Sequence, residues 1–142
     1  MKKIIGIVCV MVMAIATTIS FAQQSGWGGI GSVQVHPENA GRGDSVEITY
    51  HMSESRGSGT ADIGCEVTGP GGVVHIAHKA STTISNGRAR AWFSYPGDFG
   101  GNDAVQSTTA TRGTYQVQCY WYIAGYGVNG KVAAASGSFF IH

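Results

Sequence analysis

Thr114-Tyr115-Gln116-Val117-Gln118-Cys119-Tyr120-Trp121-Tyr122-Ile123 is the stretch that decides the fold. Tyr115, Val117, Cys119, Trp121 and Ile123 fall on one face of it, and Gln116, Gln118, Tyr120 and Tyr122 on the other. A period of two in a run of aromatic and β-branched residues predicts a half-buried strand. The period recurs on both sides. C-terminally, Asn129-Gly130 predicts a hairpin tip. Val132–Ile141 then follows, with Ala133, Ala135, Gly137, Phe139 and Ile141 as its inner face. N-terminally, Arg88–Tyr95 alternates Ala89, Ala91, Phe93 and Tyr95 against Arg88, Arg90 and Trp92. Shorter runs predict strands at Val73–Lys79, Ala61–Thr68, Ser45–Met52 and Ser32–His36. Gly69-Pro70-Gly71-Gly72, Asn86-Gly87 and Pro96-Gly97 punctuate them as turns. Ser53–Thr60 and residues 97–112 read as loops.

No sustained helical spacing occurs beyond the first residues. Glycine is plentiful, at 22, and proline scarce, at 3. The expectation is an all-β, seven-stranded antiparallel sandwich, and seven strands in about 110 residues is the count of an immunoglobulin-like domain.

The N-terminus sets the expected address. Lys2-Lys3, an apolar run from Ile4 to Ala16 and the small residues of Ser20-Phe21-Ala22 form the three parts of a secretory signal. The run is too short for a retained span, which needs about 20 residues. Cys9 lies inside the run rather than at its end, so no lipid anchor is expected. Residues 1–22 are therefore expected to be removed. Gln23–Gly31 is a Gln/Ser/Gly-rich lead holding Trp27, and residues 32–142 are the domain. Loss of Lys2 and Lys3 turns a formal charge of +1 into −1. With no basic run, nucleic acid and anionic membrane surfaces are not expected partners. Cys65 and Cys119 remain, and an even pair in an exported chain predicts one disulfide. Two free thiols or half a metal site are the alternatives. Both cysteines sit on inward faces of the third and sixth predicted strands. Such strands are neighbours in one sheet, so the bond would be a cross-strand staple.

Three segments carry a family resemblance. Gly43-Asp44-Ser45-Val46-Glu47-Ile48-Thr49-Tyr50 is similar to a glycine-aspartate turn opening a second strand. Gly87-Arg88-Ala89 through Tyr95-Pro96-Gly97-Asp98-Phe99 is similar to a fifth strand with its aromatic-Pro-x-Asp-Phe corner. Thr111-Arg112-Gly113-Thr114-Tyr115-Gln116-Val117 is similar to the Gly-x-Tyr-x-Val opening of a sixth strand. Together, from Val35 to Ile141, the chain resembles immunoglobulin-like domains of bacterial and archaeal surface or secreted proteins. The resemblance implies the sandwich and a stalk, spacer or adhesive role. Tyr115 stands four residues before Cys119 rather than two, so an antibody-type disulfide is not implied.

Candidate sites follow. Arg42-Gly43-Asp44 reads as a turn rather than an integrin motif, with Gly43 supplying backbone freedom and Asp44 the cap. His75 and His78 point to opposite faces of a strand. His36 and His51 could meet if the first two strands pair. No spare cysteine offers a thiolate site, and neither metal nor cofactor is expected. Asp98, with Asn102 and Asp103, is a calcium candidate, set against a structural role pinning the corner. No Gly-x-Ser-x-Gly, His-Glu-x-x-His or phosphate loop occurs, and an enzyme is not expected. The interaction candidates are Gln116, Gln118, Tyr120 and Tyr122, with Tyr126 just beyond and Trp92 on the other sheet. Tyrosine and tryptophan suit interfaces; the competing reading has these rings covering their own sheet. The functional expectation is a secreted, non-enzymatic module with a structural or protein-interaction role in the periplasm or at the cell surface. Its partner would be a protein or a surface polymer. The alternatives are a self-assembling subunit using its N-terminal lead, and a small periplasmic metal- or ligand-binding protein.

Overall fold

The computed structural model describes residues 29–54, 58–99, 111–122 and 130–142. The signal segment, Trp27, Asn102, Asp103, Ile123, Tyr126 and Asn129 lie outside them. Eight strands form: β1 (Gly29–His36), β2 (Asn39–Ala40), β3 (Val46–Glu54), β4 (Gly59–Thr68), β5 (Val74–Ile84), β6 (Arg88–Tyr95), β7 (Gly113–Tyr122) and β8 (Lys131–Ile141). They make two sheets, β1-β3-β6 and β2-β8-β7-β4-β5. All pairings are antiparallel except β2 with β8. This is the expected immunoglobulin-like sandwich, with one short strand more than the sequence suggested. Two residues of β2 are too few to show a period. Their place comes from Glu38 and Ala40 carbonyls accepting the amides of Phe140 and His142.

The alternations hold where the strands are regular. Val46, Ile48, Tyr50 and Met52 of β3 are buried, as are Ala89, Ala91, Phe93 and Tyr95 of β6. They face Ile63, Cys65 and Val67 of β4 and Tyr115, Val117, Cys119 and Trp121 of β7. Two bulges break the pattern. β5 runs on past Lys79 because the register slips between Ala61 and Ile63. Ser81 takes a positive φ there and its amide donates to Asp62 Oδ1 at 2.8 Å. In β8, the register slips opposite Tyr120, and Ala133 takes a positive φ. Val132 is therefore buried and Ala133 only half-buried. That corrects the simple alternation expected from Ala133 onward, since a bulge moves one residue across the pleat.

The turns predicted at Gly69–Gly72 and Asn86-Gly87 form, while Asn129 of the tip expected at Asn129-Gly130 falls outside the described residues. Asn86 and Gly87 both have positive φ, and Ser85 and Arg88 exchange backbone hydrogen bonds of 2.9 and 3.0 Å around them. That is the primed two-residue hairpin favoured by Asn-Gly. Gly72 N–H donates to the Gly69 carbonyl at 2.9 Å.

Cys65 and Cys119 form the disulfide, directly opposite each other on β4 and β7 with Cα atoms 4.0 Å apart. It is the cross-strand staple expected. The core also holds an aromatic cluster. Tyr95 sits among Phe99, Tyr115 and Phe139, with ring centroids 5.2, 5.9 and 5.7 Å away. The Tyr115 hydroxyl donates to the Thr111 carbonyl at 2.9 Å, four residues back. This contact ties the start of β7 to the preceding corner. Tyr115→Phe is expected to cost about 1 kcal/mol, read from the urea midpoint.

Tyr95 behaves oppositely. Its buried hydroxyl has no hydrogen-bond partner among the described residues. Tyr95→Phe is expected to raise stability by about 1 kcal/mol. Burial, then the nearby Tyr115, pushes the Tyr95 phenol up to about 12 from 10.0. The folded chain favours the neutral phenol, so stability is full below pH 10 and drains away as pH rises toward 12. Burial raises Tyr50 and Tyr120 in the same direction. Urea unfolding from pH 8 to 12 should show the fall, shallower in Tyr95→Phe.

Candidate functional site

The structure divides the candidate interaction residues between two faces. Gln116, Gln118, Tyr120 and Tyr122 lie on the outside of the five-stranded sheet, as expected for alternate positions of β7. They do not share exposure. Gln116 is exposed, Gln118 and Tyr122 are half-buried, and Tyr120 is buried. The expected projection of Tyr120 into solvent is thereby corrected. Gly64 is its partner across β4. With no side chain there, the ring lies down on the sheet. The Tyr120 hydroxyl donates to Glu66 Oε1 at 3.1 Å. Lys131 ion-pairs with the same oxygen, and its Nζ stands 4.4 Å from the ring centroid. The ring covers its own sheet, and Tyr126 lies outside the described residues.

Trp92 stands apart on the outer face of β1-β3-β6, 50 % exposed. The register sets its neighbours. Ile30, Ser53 and Arg88 form one row across the three strands; Ser32, His51 and Arg90 the next; Gln34, Thr49 and Trp92 the third; His36, Glu47 and Ser94 the last. The guanidinium of Arg90 sits 5.0 Å from the Trp92 ring centroid, a cation–π arrangement that holds its planar fork in place. Among the described residues, ion pairs join Lys79 to Asp98 and Lys131 to Glu66, and none reaches Arg88 or Arg90. Glu47 lies two rows from Arg90, beyond Trp92. A groove of about 780 Å³ opens over this face, lined by Ile30, Ser32, Gln34, His51, Arg88 and Arg90. The alternation of β6 had already put Arg88, Arg90 and Trp92 together. Their neighbours on β1 and β3 were not legible, because cross-strand register is not written in either strand alone.

The other candidates resolve as follows. Asp44 caps its own turn: the Gly41 amide donates to Asp44 Oδ2 at 2.9 Å, and Gly43 has a φ of 81°. Asp98 pins its corner, accepting from the Ser94 amide at 2.8 Å while its own amide donates to the Ser94 carbonyl. His36 and His51 share the outer face but pair with Glu47 and Ser32 respectively, two rows apart, so they do not meet. His75 lies near Tyr95 and His78 near Tyr122, on opposite faces. No cluster of three or more His, Cys, Asp or Glu side chains that could hold a metal occurs among the described residues. Nor, among them, is any helix long and apolar enough to cross a membrane.

No family model and no curated protein matches the sequence. Solved structures do. A β-glucosidase from Erythrobacter marinus matches with a TM-score of 0.55 at 10% identity, over 82% of this chain and 16% of that one. The C-terminal domain of wzt matches with a TM-score of 0.53 at 9% identity, over 85% and 81%. The CARDB domain of a Pyrococcus furiosus protein matches with a TM-score of 0.50 at 13% identity, over 80% and 93%. At these identities the likeness is one of fold. The chain spans about a sixth of the glucosidase, whose activity belongs to that larger protein.

Proposed function

We propose that this chain is an exported, non-enzymatic immunoglobulin-like module of the cell envelope that binds its partner through the outer face of β1-β3-β6. One observation carries this reading: a half-exposed tryptophan holds Arg90 against its ring, and Arg90 and Arg88, which lack carboxylate partners among the described residues, line an open groove on the same face. Exposed Trp and Arg are the side chains most often found at the energetic centre of interfaces. The Cys65–Cys119 bond supports the address, since such bonds persist in oxidising compartments. The likeness to a CARDB domain, 93% of whose solved chain is covered, supports a module rather than a fragment of an active site. The test is saturable binding of labelled protein to envelope preparations from the producing cell. Trp92→Ala should weaken it at least tenfold with an unchanged melting curve; equal binding by the variant would overturn the reading. Fractionation should recover the protein outside the cytoplasm, lacking residues 1–22.

Self-association is the second reading. Among the described residues, β5 is an edge strand of 11 residues, with Val74 and Ile76, and Val73 just before them, about half-exposed. Open apolar edges invite strand addition. Light scattering across a concentration series decides it: association abolished by Ile76→Lys would support it, and a strict monomer would exclude it.

A further inference from the structure

We infer that the groove on the outer face of β1-β3-β6 binds an acidic polysaccharide, a chain of sugars bearing carboxylates. The inference rests on the reading of that face as the binding surface and names its ligand. Arg88 and Arg90 are two residues apart on β6, so their side chains leave one face about 7 Å apart. Each offers a planar fork that matches a carboxylate with two parallel hydrogen bonds. Among the described residues neither fork is matched within the protein. On a chain with only 12% charged residues, two adjacent unmatched arginines are an uncommon arrangement.

The rest of the face suits sugars. Trp92 offers a flat apolar surface to the C–H side of a pyranose ring. Ser32, Gln34 and Ser53 present hydroxyl and amide groups that can both donate and accept, as sugar hydroxyls require. Arg88, Arg90 and Trp92 run in line along the strand for about 13 Å, so an extended polymer laid along β6 meets charge, charge and ring in turn. The lining of the groove is mixed, with Ile30, Met52 and Ala89 beside Ser32, Gln34, Ser53 and the two arginines, and the unmatched cations are what favour a carboxylated chain over a protein partner. A phosphate polymer would call for a longer basic stripe than two side chains provide.

The experiment compares polygalacturonate with its methyl ester, which keeps the sugar backbone and removes the charge. Alginate serves as a second carboxylated chain, and poly(dT) as the phosphate arm. Binding of the purified protein is measured by calorimetry or affinity electrophoresis. The expected result is binding to at least one carboxylated polymer, at least tenfold weaker to the ester, and weakened by added salt. Arg88→Gln/Arg90→Gln should lose at least tenfold more, and Arg90→Lys should lose part of the affinity, because it keeps the charge without the fork. Both arginines are exposed, so the melting curves should stay within a few degrees. Equal binding of ester and acid, no binding to either carboxylated polymer, tighter binding to poly(dT), or an unaffected double variant would each overturn the inference. If envelope binding still depends on Trp92 while both polymers fail, the ligand assignment falls and the binding face stands. If both fail, the face itself is wrong.

Discussion

Replacing Cys65 and Cys119 together with alanine is expected to lower the unfolding free energy by about 4 kcal/mol. The bond closes a loop between residues 54 apart, and the loop-closure entropy removed from the unfolded chain sets that magnitude. Its position adds to the effect. β4 and β7 are interior strands of the five-stranded sheet, and both sulfurs are fully buried between Ile63, Val67, Val117 and Trp121 on the inner face. Alanine leaves a small void there as well. For a domain of this size the melting temperature should drop by about 15 °C. Thermal and urea unfolding of the variant against the oxidised protein measures it. Reductant added to the native protein should act slowly, because the buried bond is reached only when the sheet opens. A loss below 1 kcal/mol would show that the staple contributes little and that the strand pairing suffices.

The fold was legible wherever a strand keeps its period. β3, β6 and, as far as Trp121, β7 bury the residues their alternation assigns, and Asn86-Gly87 sits at its hairpin. What was not legible depends on residues distant in the chain. The extension of β5 beyond Lys79 hangs on Asp62, which accepts the Ser81 amide 19 residues away. The inward turn of Val132 hangs on a bulge that only pairing with β7 produces. The site shows the same division. Arg88, Arg90 and Trp92 share a face by local alternation, whereas Ser32, Gln34 and His51 join them through register alone. Tyr120 is the sharpest case. Local alternation puts it on the outer face correctly, yet its exposure is decided by a glycine 56 residues earlier in the chain.

That dependence makes Gly64→Val a strong test of the sheet's outer layer. A Cβ at Gly64 would stand 2.7 Å from the Tyr120 hydroxyl oxygen and closer still to ring carbons. The ring has nowhere to slide while Glu66 and Lys131 hold it, so it must lift off the sheet. Lifting breaks the hydroxyl's bond to Glu66 and uncovers the apolar surface beneath. Overpacking of this kind costs about 1–3 kcal/mol, and the lost charge-assisted hydrogen bond about 1.5 kcal/mol more. The expected destabilisation is about 3 kcal/mol, although valine is the better strand former and would otherwise favour β4. The control is the double variant. With Tyr120→Ala the ring is gone, so valine at Gly64 should cost far less than it does alone. The coupling between the two positions should then exceed 1 kcal/mol. Urea midpoints of the two single variants and the double variant give that coupling. Additive effects would mean that the ring does not rest on Gly64, and that its burial has another cause.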